Sequence, residues 1–214
     1  MKTILALLGA LFVIPILIRL GAQLFVRTVV VKTAESIGRQ AVDQQPDHIH
    51  LTRRGPQVWA NAGRAEALAN PLLATGFEDA GTYAIDEMPN IYVRLLVDAN
   101  HSITAAIYEH PRAGQWLELT SRYVDGTSAS FNTLKATGLQ HRPGHQSVNA
   151  PGLEPAALLE RSLSERPQKA LVKVNSGEVV SRFEDGYAQG IAWRKRRGVS
   201  AAEVVQVASQ RKAA

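Results

Sequence analysis

Gln115-Trp-Leu-Glu-Leu-Thr-Ser-Arg-Tyr-Val124, followed at once by Asp125-Gly126, decides the fold. Trp116, Glu118, Thr120 and Arg122 alternate with Leu117, Leu119, Ser121 and Tyr123, the period of a strand with two unlike faces. Asp-Gly is a strong hairpin signal, because the favoured two-residue turns need positive φ. Thr127 to Leu134 then reads as the returning partner. Upstream, Ser102 to Glu109 alternates Ile103, Ala105 and Ile107 against Thr104, Ala106 and Tyr108, between turns at Asp98 to His101 and Pro111 to Gly114. Ile91 to Val97, rich in β-branched and aliphatic residues, and the short run Thr82 to Asp86 precede it. Five runs joined by short turns predict an antiparallel meander. Their alternation predicts one solvated face and one face covered by helices, an α+β fold.

Helices flank these runs. Ala60 to Ala74 is rich in Ala and Leu, with a break expected at Asn70-Pro71. Glu154-Pro155 opens a helix to about Glu165, Pro occupying an early position where its missing N–H costs nothing. Ala170 to Val174 reads as extended, or as a sixth strand. Ser176 is the expected N-cap of a helix to about Arg197, with Val179, Phe183, Tyr187 and Ile191 on one face. Gly186 and Gly190 lie inside that helix and lower its propensity. Ser200-Ala-Ala-Glu203 has the form of a capping box for a last helix. Gln44 to Pro56 reads as a polar linker, and Ala136 to Gly152, broken by Gly138, Pro143, Gly144, Pro151 and Gly152, as a long irregular loop.

The amino-terminal end predicts a different setting. Thr3 to Ile18 is uncharged and mostly aliphatic, and extending it to Phe25 adds only Arg19 as a charge. About 20 helical residues cross a hydrocarbon core, so the expectation is a single-pass transmembrane anchor. A cleaved signal would end in a small-residue site, and no A-x-A follows Ile18. A soluble core helix would have one polar side, and this run has none. Arg19, Arg27, Lys32 and Arg39 behind the run put the body of the protein on the cytoplasmic side by the positive-inside rule. The expected organisation is an anchor over 1–25, a helical stalk and linker over 26–56, an α+β domain over 57–198, and a C-terminal helix with a basic tail over 199–214.

The net charge of +5 is unevenly spread. Residues 1–39 carry five basic side chains against Glu35, and residues 191–214 carry six against Glu203, so the middle is net acidic. That distribution argues against nucleic acid as a partner, which would need a basic stripe across the folded core. Basic segments beside an anchor fit anionic lipid better, through Arg19, Arg27, Lys32, Arg194, Lys195, Arg196 and Arg197. The chain has no cysteine, which removes thiol chemistry and disulfides.

His141-Arg-Pro-Gly-His145 is the sharpest local feature. Two imidazoles suggest a metal and Arg142 an anion, but metals need three or four ligands and no third has a recognisable spacing. His48-x-His50 and Glu109-His110 read as solvated or turn positions, as do the acidic pairs Glu78-Asp79 and Asp86-Glu87, whose neighbours in a strand point to opposite faces. The chain has no G-x-S-x-G, P-loop or dinucleotide fingerprint. The functional expectation is therefore a non-enzymatic binding or scaffold domain with no cofactor, an accessory subunit beside a membrane-protein partner and the lipid bilayer. Its expected ligand residues are His141, Arg142 and His145 in the loop, and Trp116, Glu118 and Arg122 on one sheet face. The alternatives are a metal-dependent hydrolase using His141 and His145, and a nucleic-acid or anionic-lipid contact through the basic segment from Trp193 to Arg197.

Overall fold

A computed structural model of the chain describes residues 31–136 and 138–212. Residues 45–196 form one compact unit, and residues 31–44 together with 197–212 belong to another.

The larger unit is built on a seven-stranded sheet in sequential order: β1 (Leu51–Arg54), β2 (Glu78–Ile85), β3 (Tyr92–Asp98), β4 (Ile103–His110), β5 (Gly114–Arg122), β6 (Ser128–Asn132) and β7 (His145–Asn149). Neighbours pair antiparallel except β6 and β7, which are parallel. The expected five-strand antiparallel meander is corrected accordingly to a seven-stranded mixed sheet. β1 was hidden in the polar linker because an edge strand need not be apolar, and Arg53 and Arg54 are exposed. β7 lay in the long loop because its residues, His145-Gln-Ser-Val-Asn149, carry one aliphatic side chain. Ala170 to Val174 adds no strand; Leu171 makes an isolated bridge to Tyr123.

The prediction of helices on one face is also corrected. Helices α2 (Ala62–Leu73) and α3 (Pro155–Glu165) cover one face. Ile103, Ala105, Ile107, Leu117, Leu119, Ala129 and Phe131 point there and pack with Ala65, Ala69, Leu72, Leu158 and Leu159 in the main core. Each fully buried Leu, Ile or Phe contributes about 1.5–3 kcal/mol of transfer free energy. Asn61 caps α2 by accepting from the Arg64 N–H at 3.0 Å. Pro71 falls in the last turn of α2, so it ends the helix rather than dividing it. The opposite face carries a smaller cluster of Val93, Leu95, Val97 and Ala106 with Val174, Val179 and Phe183. The last two belong to α4 (Val179–Arg197), so β3 is buried on both sides. The turn before α4 is held by Asn175, whose Oδ1 accepts from the Glu178 N–H at 3.0 Å, and not by Ser176, whose hydroxyl bonds to Glu78.

In the smaller unit, residues 31–43 form α1, with Ala34, Gly38 and Val42 buried at four-residue steps. Gly38 lies against Val199 and Val204, where a Cβ would come within 2.8 Å of Val204. Helix α5 (Ala201–Lys212) opens on the predicted capping box: Ser200 N–H donates to Glu203 Oε2 at 3.0 Å, and Arg197 pairs with the same oxygen at 2.9 Å.

Among the described residues no helix is long and apolar enough to cross a membrane. Residues 31–43 carry Lys32, Glu35, Arg39 and Asp43, and their pattern is that of an amphipathic helix. Residues 3–25, on which the anchor was expected, lie outside the described residues. The expected transmembrane helix, single-pass membrane placement and cytoplasmic-side orientation are corrected accordingly: the described residues give no positive indication of a membrane setting.

Candidate functional site

β5 lays Trp116, Glu118, Thr120 and Arg122 on the face beneath α4, and the strand register extends each of them into a row. Tyr108 faces Trp116; Ala106, Asn132 and Asn149 align with Glu118; Thr104, Ser130 and Ser147 align with Thr120; Ser128 and His145 align with Arg122. Side chains from these rows form the floor of a cavity of about 720 Å³, with Phe183, Gly186, Tyr187, Gly190 and Ile191 of α4 opposite. His141 and Arg142, in the segment between β6 and β7, also line it. Ligand cavities run to about 300–1,000 Å³, mostly apolar with a few placed polar groups. The structure thus brings all six expected residues, Trp116, Glu118, Arg122, His141, Arg142 and His145, to one cavity.

The rows grade from aromatic to cationic. At one end the Tyr108 and Trp116 rings stack with centroids 4.6 Å apart and planes 13° from parallel, and Phe183 tilts against Tyr108 at 6.0 Å. Such pairs contribute about 0.5–1.5 kcal/mol beyond their burial. Next to them Glu118 is held by hydrogen bonds from Ser130, Thr120 and Tyr108. Burial pushes its carboxyl above the usual range, and those bonds pull it only part of the way back. Burial, then the neighbouring Glu118, pushes the Tyr108 phenol well above its ordinary value. Farther along, Thr120 and Ser130 hydroxyls bond at 2.9 Å, and Asn149 Nδ2 donates to Asn132 Oδ1 at 2.8 Å.

At the other end Arg122 crosses from sheet to helix. Its Nη2 donates to the Arg182 carbonyl at 2.9 Å. Burial, then the Arg182 and Arg142 guanidiniums, lowers its pKa. Arg142 reaches α4 through Gln189 Oε1 at 3.3 Å. His145 Nδ1 hydrogen-bonds the Ser128 hydroxyl. Burial, then the Arg142 and Arg122 guanidiniums, lowers the His145 pKa, and burial, then Arg194, lowers that of His141.

The Ser–His contact resembles part of a hydrolytic triad, but the cations around His145 make it a weaker base. Among the described residues no carboxylate ion-pairs with His145. No group of three or more His, Cys, Asp or Glu among the described residues could hold a metal ion, so the His141/His145 hydrolase alternative lacks a ligand set there.

Other flagged residues have local roles. His50 Nδ1 pairs with Glu87 at 2.5 Å, and Thr52 donates to Asp86 at 2.7 Å. Asp79 and Glu66 pair with Arg94. Glu109 accepts from the Ala60 N–H and from Gln115, and His110 Nδ1 from the Arg112 and Ala113 N–H groups, closing a turn. In the basic segment, Lys195 pairs with Asp47 at 2.8 Å, Arg194 donates to the Gln140 carbonyl at 3.4 Å, Arg197 pairs with Glu203, and Arg196 is exposed. Lys32 is exposed on α1, and Arg19 and Arg27 lie outside the described residues.

Missed from the sequence were the contributions of β4, β6, β7 and α4: Tyr108, Ser128, Ser130, Asn132, Ser147, Asn149 and Phe183. The Ser and Asn positions look like a solvated face until β7 pairs beside β6. Comparison with family models, with curated proteins and with solved structures gives no match, so function must be argued from the chemistry of the cavity itself.

Proposed function

We propose that this domain binds a small organic molecule in the cavity between β4–β7 and α4, without transforming it. The observation that carries this reading is the cavity of about 720 Å³, floored by an aromatic pair at one end and by polar rows beyond it. A sheet face meant only to seat a helix would carry aliphatic residues, as the opposite face does. Here Thr, Ser, Asn, Glu and Arg side chains line an open volume instead. Placed polar groups of this kind orient a ligand, while aromatic surface supplies most of the favourable burial. The lowered pKa of His145, and the absence of a carboxylate paired with it among the described residues, favour binding over catalysis.

Titration of the full chain with the neutral fluorophore dansylglycinamide tests this reading. The expected result is saturable one-site binding, with energy transfer from tryptophan. Trp116→Ala weakens it, and Gly190→Leu blocks it by placing a side chain in the cavity, since a Cβ at Gly190 meets no atom within 4 Å. Non-saturable binding, or saturable binding indifferent to both substitutions, overturns the reading.

A further inference from the structure

We propose that the ligand is an elongated organic acid: its carboxylate docks between Arg122 and Arg142, and its apolar end lies against Trp116 and Tyr108. This rests on the reading of the cavity as a ligand site and specifies the chemistry of what enters it.

Charge bookkeeping comes first. Glu118 is the sole carboxylate among the described residues that line the cavity, against Arg122, Arg142, Arg182 and Arg194. Arg182 is paired with Glu178 at 2.7 Å. Among the described residues neither Arg122 nor Arg142 makes an ion pair; Asp185 and Glu118 act on Arg122 only without direct contact, after burial and the Arg182 and Arg142 charges, and the hydrogen bonds of the two arginines go to a backbone carbonyl and to the Gln189 amide. Both are half-buried. A guanidinium has five N–H donors, so most of those on Arg122 remain for the cavity. Partly desolvated like charges side by side are costly unless a counter-ion joins them. A carboxylate meets the planar fork with two parallel, charge-assisted hydrogen bonds. The hydrogen-bonded Ser128–His145 pair, in register with Arg122, adds one outward donor at that end: the Nε2–H if the serine donates to Nδ1, or the serine O–H if Nδ1–H donates to it.

Spacing supplies the second argument. Arg122 and Trp116 lie on the same face six residues apart, about 20 Å of strand at 3.3 Å per residue. The arginine stem and the indole take up part of that length, and the remainder is a gap that a compact anion cannot bridge. The rows in between are polar: Thr120, Ser130 and Ser147, then Glu118, Asn132 and Asn149. These groups already bond one another, Thr120 to Ser130 and Asn149 to Asn132, and the lone pairs and N–H groups they have left suit a polar segment better than a plain alkyl chain. The molecule that fits carries a carboxylate, a hydrogen-bonding middle such as an amide or a hydroxyl, and an aromatic or aliphatic end.

Dansylglycine has that layout, and dansylglycinamide differs from it only in lacking the charge. Titrated into the full chain, dansylglycine is expected to bind about tenfold or more tighter, as one charge-assisted bidentate contact should provide. Arg122→Gln removes the ratio of acid to amide affinity whatever it does to the amide affinity itself, Arg122→Lys retains part of that ratio, and Arg142→Gln reduces it. Arg142 lies outside every helix and strand, so its variant tests the assignment even if Arg122→Gln fails to fold. Equal affinity of acid and amide, or a preference untouched by both glutamine variants, overturns the acid assignment and leaves the cavity reading standing. Displacement of dansylglycine by inorganic phosphate more readily than by benzoate also overturns the carboxylate. Lack of saturable binding by either probe overturns both readings together.

Discussion

Gly186 and Arg122 compete for one space: a Cβ on residue 186 would lie 2.1 Å from Nη2 of Arg122. The missing side chain lets the guanidinium rest against the backbone of α4 and reach the Arg182 carbonyl. Glycine inside a helix ordinarily costs about 0.5–1 kcal/mol against alanine. Gly186→Ala is therefore expected to leave thermal stability little changed or slightly raised, because the flexible end of Arg122 can move, while the dansylglycine affinity falls. Gly190→Ala, in open space, is expected to stabilise by about 0.5–1 kcal/mol. Melting curves and titrations of both variants check the contrast.

Two aromatic truncations should separate packing from binding. Phe131 is 1% exposed in the main core, and Phe131→Ala is expected to cost about 3–5 kcal/mol. Trp116 is half-buried in the cavity floor, so Trp116→Ala should cost clearly less stability and yet weaken probe binding. Denaturant unfolding of each variant, alongside titration, measures both quantities.

Glu118 should make the fold less stable as pH rises. Its carboxyl pKa is raised in the folded state, chiefly by burial, so between the unfolded value of about 4.3 and the raised folded value the native chain holds more protons than the unfolded one. Stability is fully present below the unfolded value and declines through that window. Glu118→Gln cannot ionise, so its melting temperature should rise relative to the parent as pH increases from acid toward neutral. Parallel pH–melting curves over that window would sink the idea.

The hairpin between β5 and β6 turns on Gly126, at φ 81°. A Cβ there meets no atom, so the cost of Gly126→Ala is backbone strain alone, about 1 kcal/mol. Asp125, bonded to Thr127 and Lys169, should keep the turn in place. Equilibrium unfolding checks the value, and an unchanged midpoint would argue against a strained left-handed residue.

Local chemistry in the sequence already specifies much of the sheet. The β4 to β6 runs alternate cleanly, and the Asp125-Gly126 turn leaves one pairing for its flanks. The Ser200 capping box and the early Pro155 mark helix starts that appear as expected. β1 and β7 escape because neither has an apolar period, and because a parallel pair joins residues about seventeen positions apart, as in Ser128 opposite His145. The site is partly legible for the same reason. Alternation alone puts Trp116, Glu118 and Arg122 on one face, and the Gly/Pro content marks the segment holding His141 and Arg142. That β7 turns Ser and Asn residues of β6 into cavity wall follows only from the non-local pairing. Gly186 reads as a weakness in α4 until Arg122 is seen against it.

The pleat also makes the cavity floor a ruler. Successive rows are two residues apart, about 6.6 Å along the strand, so under the proposed acid assignment the distance between the arginine and aromatic ends comes in fixed increments. A guest one increment too short or too long loses one end outright. Exchanging the aromatic pair at 108 and 116 with the small and polar residues at 106 and 118 would rescale which lengths are accepted, with the hydrogen-bonded ladder beneath left intact.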